Sequence, residues 1–200
     1  AQGPSGVSAV AQDVDLPLFL DVKFHDIPNT VAGAVRSVVA ATTPHVLTIH
    51  ASGGAAMMRA AQAASVETAD EYGIVPPAIV GVTVLTSLDD ADLDRVGQKG
   101  PSLDQVRRLA ALAMESGLAG VVCSPFEVAV LRADLGGDAL LVVPGIRPDW
   151  AVVGDQKRVM TPAQAQEAGA DIVVTGRPVT GAEDRRDAAQ RIVAEMSNAG

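Results

Sequence analysis

Several features that assign proteins to broad classes are missing from this sequence. It contains a single cysteine, Cys123, which excludes an intrachain disulfide, and the apolar residues before it indicate a buried thiol in a reducing compartment. It has neither a run of about 20 apolar residues nor a basic N-terminal segment followed by an apolar one. We therefore expect a cytoplasmic protein that has no membrane partner.

Positive charge is also scarce. The 200 residues include 15 Lys and Arg against 24 Asp and Glu, a formal net charge of −9, and no basic cluster. Nonspecific nucleic-acid binding needs positive charge that displaces condensed counterions, so we expect no nucleic-acid partner. Any anionic ligand must be held by a few local cations. Hydrophobic residues make up 48% of the chain, which excludes intrinsic disorder and predicts one domain over residues 1–200.

The glycine-rich fingerprint of dinucleotide-binding folds is absent after every predicted strand. Short apolar runs alternate instead with Ala- and Leu-rich helical segments, a pattern typical of parallel α/β proteins. The predicted strands are residues 18–24, 45–50, 79–85, 120–124, 140–143 and 171–175.

Six β/α units leave two architectures open, because a closed TIM (β/α)8 barrel needs about 250 residues. One is an open, doubly wound sheet, and the other is a TIM barrel whose first two strands lie upstream of Ala1. The missing fingerprint favours the barrel. Because the first residue is Ala rather than Met, we also expect that the chain begins inside a longer product.

The densest group of charges lies at the end of the first predicted strand, in residues 21–26 (DVKFHD). Side chains alternate along a strand, so Asp21 and Lys23 are predicted to point to the same face, which in a barrel is the interior near the catalytic mouth. A surface ion pair is the simpler interpretation. Charges that follow an apolar run must, however, be paired or functional, because an unpaired buried charge costs several kcal/mol.

A second group of candidate residues follows the later strands. Arg147 and Arg177 lie in Pro- and Gly-containing segments after the last two strands, where barrels often bind phosphate through backbone N–H groups and an arginine. Solvated loop arginines are the alternative. Thr86 and Ser87 offer hydroxyls after the third strand.

The three histidines do not have the spacing of a metal site. His25, His45 and His50 lack the i, i+4 helical arrangement of zinc hydrolases, and no pair of cysteines supports them. We expect His50 to order a neighbouring loop through hydrogen bonds.

Residues 21–30 (DVKFHDIPNT) resemble the signature of the orotidine 5′-phosphate decarboxylase family. Five later segments are similar to later motifs of that family and occur in the same order: residues 50–54 (HASGG), 84–87 (VLTS), 144–148 (PGIRP), 154–158 (GDQKR) and 176–178 (GRP). The resemblance extends over the whole chain.

This resemblance implies a TIM-barrel homodimer that converts orotidine 5′-monophosphate to UMP and carbon dioxide, the last step of de novo UMP synthesis, without a metal or organic cofactor. It implies that Lys23 donates a proton to C6 of the substrate and that Asp21 is set against the substrate carboxylate. The remaining implied site residues are Asp26, Ile27 and Thr30, which would reach into the neighbouring subunit's site, Thr86 at the pyrimidine, and Arg147, Gln156, Gly176 and Arg177 at the phosphate.

The sequence departs from the family at its N-terminus. The family begins with two further strands, which carry an Asp at the ribose and a Lys that joins the charge network with Asp21 and Lys23. Neither residue is present, and residues 1–4 resemble the start of the helix after the second of these strands. We expect that an N-terminal stretch is omitted.

Two other functions remain open. One is that of a related Asp-x-Lys barrel acting on a sugar phosphate, a 3-keto-gulonate-phosphate decarboxylase or a hexulose-phosphate synthase, which would require magnesium. The other is a non-catalytic, truncated barrel that only binds a nucleotide. The run from His25 to Thr30 disfavours the sugar-phosphate enzymes.

Overall fold

The computed structural model describes residues 3–12, 16–151 and 160–197. The chain divides into two compact units, one formed by Ala1–Thr83 and Arg108–Val121 and the other by Val84–Arg107 and Val122–Gly200. Helix α5 (Ser102–Glu115) and strand β4 (Gly120–Val122) contain residues of both units. The expectation of a single domain remains a prediction.

The first unit is built from parallel strands and the helices that connect them. Its strands pair in the order β1, β2, β3, with Phe19 opposite Val46 and Val46 opposite Ala78. Its complete elements are α1 (Gly3–Gln12), β1 (Phe19–Phe24), α2 (Pro28–Thr42), β2 (Val46–His50), α3 (Gly54–Tyr72) and β3 (Ala78–Val82).

Helix α2 shows how the sequence forms the core of this unit. Pro28 occupies the first turn, where its fixed φ suits a helix and its missing N–H costs no hydrogen bond. The buried residues recur on one face at helical spacing, and α2 packs against α3. They are Val31, Ala32, Val35, Val38, Val39 and Thr42.

The second unit repeats the strand–helix pattern. Strands β5 (Leu140–Pro144) and β6 (Ile172–Val174) are parallel, with Val143 opposite Val173. The helices of this unit are α4 (Asp90–Arg95), α6 (Val128–Leu135), α7 (Pro162–Glu167), α8 (Arg177–Thr180) and α9 (Arg185–Ser197).

Arg132 on α6 joins several elements of the second unit. Its guanidinium donates to the carbonyl oxygens of Gly136 and Ala139 at 2.8 Å each, and to the carbonyl oxygen of Gly169 at 2.7 Å. It also forms an ion pair with Asp171 at 2.6 Å, and the same carboxylate oxygen accepts the N–H of Leu141 at 2.7 Å. One side chain therefore connects the end of α6, the turn after α7 and the starts of β5 and β6.

All six predicted strands are present, and the parallel pairing of β1 with β2, of β2 with β3 and of β5 with β6 confirms the α/β class. The ends of β3 and β4 differ most from the prediction, since these strands end at Val82 and Val122 rather than at residues 85 and 124. Cys123 is buried, as expected, and burial raises the pKa of its thiol. Within the described ranges, no helix combines the length and apolar character needed to cross a bilayer.

Candidate active site

Strand β1 is irregular where its charged residues lie. Leu20 is opposite Leu47 and Phe24 is opposite Ile49, so β1 advances four residues while β2 advances two. Lys23 lies within this bulge and has a φ of 51°, in the left-handed region that few residues other than glycine adopt. The bulge therefore sets the direction in which the charged side chains leave the strand.

Lys23 and Asp21 form a close ion pair. The Nζ atom of Lys23 lies 2.6 Å from Oδ2 of Asp21, and the two side chains are 39% and 42% exposed. The pair is thus partly desolvated but accessible to a ligand. The structure brings together the two residues that the sequence predicts on one face.

A buried threonine completes this arrangement. Thr48 on β2 is only 1% exposed. Its Oγ1 accepts the backbone N–H of Lys23 at 2.9 Å and donates to Oδ1 of Asp21 at 2.9 Å. Thr48 is not among the residues predicted from the sequence, although a polar residue inside the apolar strand 46–50 is a signal for such a role, because a buried hydroxyl needs partners.

His50 lies beside this pair. Its ring centroid is 5.2 Å from that of His25, and the two rings are tilted by 45°. Burial lowers the pKa of His50, and the nearby His25 and Lys23 lower it further, while Asp21 opposes them. A neutral imidazole is therefore favoured at pH 7. The loop-ordering role expected for His50 stays a prediction.

The close packing around His25 accounts for the glycine at position 53. A Cβ atom at this position would lie 3.3 Å from Cδ2 of His25 and would collide with the end of the Met57 side chain. The absence of a side chain at Gly53 lets the turn before α3 pass close to His25.

The residues implied at the neighbouring subunit's site lie just after β1: Asp26 and Ile27 precede α2, and Thr30 lies in its first turn. Asp26, Ile27 and Thr30 are exposed, and Oδ1 of Asp26 accepts the N–H of Ile27 at 2.6 Å. Ile27 is the N-cap residue of α2 and is 67% exposed.

The second unit contains a cavity of about 650 Å³ next to Thr86. Its lining includes Thr86, Ser87, Ser124, Glu127 and Gly145. The capping box of Ser124 and Glu127 fixes the turn after β4, because Glu127 accepts the N–H of Ser124 at 2.7 Å. Thr86 is exposed, so its hydroxyl is available to a bound molecule.

The candidate phosphate residues of the described chain lie in the second unit. Arg147 is 8% exposed, and its backbone N–H donates to the carbonyl oxygen of Met160 at 2.9 Å. Gly176 and Arg177 are exposed at the start of α8. Gln156 and the rest of the segment 154–158 fall outside the described residues.

An aromatic contact lies close to this group. The guanidinium carbon of Arg191 on α9 is 4.2 Å from the ring centroid of Trp150, a cation–π geometry. Trp150 is three residues after Arg147, so this contact anchors the segment that carries the arginine.

The candidate residues thus fall into two groups. Asp21 and Lys23 are in direct contact in the first unit, with Asp26, Ile27 and Thr30 just after them in the chain; Thr86, Arg147, Gly176 and Arg177 belong to the second unit. Among the residues that the structure describes, no three His, Cys, Asp or Glu side chains are grouped as a metal site would require.

Known proteins resemble this chain over almost its whole length. It is 57% identical to the orotidine 5′-phosphate decarboxylase of Paramagnetospirillum magneticum over 98% of this chain and 83% of that protein. It is also 57% identical to the enzyme of the same name from Rhodospirillum rubrum, over 97% of this chain and 78% of that protein.

A solved structure extends this similarity to the fold. The crystal structure of orotidine 5′-phosphate decarboxylase from Lactobacillus acidophilus superimposes with a TM-score of 0.83 at 36% identity, covering 97% of this chain and 81% of that one. The predicted TIM-barrel class is thereby confirmed. The sequence pattern of one family matches residues 1–192, and the chain belongs to that family, orotidine 5′-phosphate decarboxylase / HUMPS.

Proposed function

We propose that this chain is a carboxy-lyase that converts orotidine 5′-monophosphate to UMP and carbon dioxide, the last step of de novo pyrimidine synthesis. The observation that carries the proposal is the 57% identity, over nearly the whole chain, to proteins named for this activity. The contact between Lys23 and Asp21 supports it, because the reaction needs a cation and an anion close to each other.

The reaction defines what these two side chains do. The bond between C6 and the carboxylate breaks, carbon dioxide leaves, and the electron pair remains on C6, where delocalisation is poor. A fixed ammonium group stabilises this developing charge, and Lys23 then delivers a proton from Nζ to C6. Asp21 lies against the substrate carboxylate and keeps Lys23 oriented through their hydrogen bond at 2.6 Å.

The proposed pyrimidine contact is Thr86. Its hydroxyl can donate to or accept from the polar edge of the base, and it borders the cavity of about 650 Å³, a volume typical of small-molecule sites.

The proposed phosphate contacts are Arg147, Gln156, Gly176 and Arg177. Arginine binds a phosphate dianion through two parallel N–H groups, and a glycine lets the backbone N–H approach the oxygens. Binding of the phosphate, which is remote from the reacting carbon, helps to orient the substrate, so these residues contribute to the rate as well as to affinity.

We further propose a homodimer whose two active sites are shared, in the cytoplasm. Asp26, Ile27 and Thr30 would complete the site of the partner subunit. The 67% exposure of Ile27 leaves its apolar surface available for such a contact.

The first prediction concerns Lys23. Purified protein is expected to consume orotidine 5′-monophosphate, followed by the loss of its absorbance. Lys23→Ala removes both the cation and the proton donor, so we expect kcat to fall by roughly 10²- to 10⁴-fold or more. Lys99→Ala is the matched control, because Lys99 is exposed and is not among the proposed site residues. Wild-type rates in Lys23→Ala would contradict the proposed role.

The same assay distinguishes this function from the sugar-phosphate alternative. Those enzymes need magnesium, so their activity is lost in EDTA. We expect turnover of orotidine 5′-monophosphate to survive EDTA and to exceed any activity on sugar phosphates. A protein that binds UMP in calorimetry but shows no turnover would instead support the non-catalytic barrel.

A further inference from the structure

We propose that Thr48 is a positioning residue for the reaction, whose hydroxyl holds both Lys23 and Asp21 in their working geometry. The inference rests on the proposed function and adds to it a residue on β2, 25 residues beyond Lys23. Thr48 acts through the two charged residues and does not itself touch the substrate.

The register of the strands places Thr48 opposite the bulge. Between the pairs Leu20–Leu47 and Phe24–Ile49, three residues of β1 face one residue of β2, and that residue is Thr48. A regular ladder cannot satisfy the backbone there, because the spacing of the two strands no longer matches. The Thr48 side chain replaces a ladder acceptor by accepting the N–H of Lys23.

The hydroxyl both donates and accepts a hydrogen bond in this arrangement. A threonine hydroxyl has one proton to donate, and here that proton goes to Oδ1 of Asp21 while a lone pair accepts from Lys23. Oδ2 of Asp21 accepts from Nζ of Lys23. Three hydrogen bonds thus close a ring that runs from the backbone of Lys23 through Thr48 and Asp21 to the Lys23 side chain.

Burial stabilises this ring of hydrogen bonds. Thr48 is 1% exposed, so solvent does not readily replace its hydrogen bonds, and its branched Cβ restricts χ1. Lys23 has a left-handed φ of 51°, which is strained for a side chain with a Cβ. The bond from its N–H to Thr48 helps to offset that strain and fixes where the lysine leaves the strand.

The test compares variants that differ by the hydroxyl. Thr48→Val keeps the shape of the side chain but removes both hydrogen bonds, so we expect kcat for orotidine 5′-monophosphate to fall about 10- to 100-fold. KM should change by less than about threefold, as when an interaction made mainly in the transition state is lost. Thr48→Ser keeps the hydroxyl and should retain a rate close to wild type.

The matched control is Thr68→Val. Thr68 is also buried in the first unit, and its hydroxyl donates only to the carbonyl oxygen of Ala64, one turn earlier in α3, at 2.7 Å. This variant should keep the wild-type kcat. If Thr48→Val does not fold, Thr48→Ser and Thr48→Ala give the same comparison, since they differ by one oxygen atom. Wild-type kcat in Thr48→Val, or equal losses in the Ser and Ala variants, would overturn the proposal.

Crystal structures of the wild type and Thr48→Val provide a readout that does not depend on activity. We expect Lys23 to leave the left-handed region, or its Nζ to move out of hydrogen-bond distance of Asp21, in the valine variant. An unchanged geometry would overturn the proposal. If the wild type fails to consume orotidine 5′-monophosphate, the proposed function fails, and the crystal comparison still decides whether Thr48 positions the pair.

Discussion

At the scale of single residues, His50 is a half-buried group beside the charged pair of Asp21 and Lys23. It ends β2, lies 5.2 Å from His25 between ring centroids, and is followed by the turn that contains Gly53. Its pKa is lowered, first by burial and then by His25 and Lys23. Folding therefore favours its neutral form.

The prediction that belongs to this residue is a pH dependence. Because the pKa of His50 falls on folding, its contribution to stability is complete above the unfolded value of 6.5 and is lost as the pH falls through the lower folded value. We expect its ring protons to titrate below pH 6.5 in NMR spectra. Between about pH 7.5 and about pH 5.5, His50→Gln should lose less thermal stability than the wild type. A titration midpoint at or above 6.5 would contradict the prediction.

The sequence predicts the residues of the charged pair but not the way they are held. Asp21 and Lys23 are two positions apart in an apolar strand, so alternation alone predicts that they share a face. The left-handed φ of Lys23 and the partnership with Thr48 depend on the register between two strands. Register is a tertiary property, and no local pattern in residues 18–24 specifies it.

At the scale of secondary-structure elements, the second unit depends on Arg132. Its side chain is 22% exposed and satisfies carbonyl oxygens at the C-terminal end of α6 and in the turn after α7, which helices leave without intrahelical partners. Gly169 in that turn has a φ of 107° and lies against the Arg132 side chain.

We expect Arg132→Ala to lower the free energy of unfolding by about 2–4 kcal/mol, because several carbonyl oxygens and Asp171 lose a charged donor at once. Arg132→Lys should recover only part of this loss, since an ammonium group cannot reproduce the planar fork. Urea unfolding followed by circular dichroism measures both. Arg36→Ala is the control, because its ion pair with Glu67 is 3.4 Å long and exposed; a similar loss there would contradict the explanation.

The elements themselves are largely predictable from the sequence, because apolar runs and helix caps are local signals. Thr161 followed by Pro162 predicts the start of α7, and the structure shows that cap with Gln164. Helix α2 starts at Pro28, because the fixed φ and missing N–H of proline suit the first turn of a helix. Strand ends are less predictable, since they depend on where a neighbouring strand stops pairing.

At the scale of the whole molecule, a net charge of −9 coexists with a proposed substrate that carries both a phosphate dianion and a carboxylate. Lys23, Arg147 and Arg177 are the cations that the proposal assigns to it. A shared active site would make activity depend on both subunits, because each site then needs Asp21 and Lys23 from one subunit and Asp26 from the other.

Sharing predicts recovery of activity in mixtures. Lys23→Ala and Asp26→Asn should each be nearly inactive alone, yet a hybrid dimer of the two contains one site without a substitution. Equal mixing with full subunit exchange should therefore restore about a quarter of the wild-type activity. Lys23→Ala mixed with Asp21→Asn is the control and should recover nothing, because both residues serve the same site. No recovery in the first mixture would exclude shared sites.

The contact between Arg191 and Trp150 gives the molecule an optical reporter. The chain contains one tryptophan, and it lies three residues after Arg147 in the segment proposed to bind phosphate. Tryptophan emission therefore comes from a single known place, and a guanidinium stacked on the ring makes that emission sensitive to small movements of the segment. Binding of a phosphate group at Arg147 is therefore measurable by fluorescence in the unlabelled wild-type protein, without adding a dye.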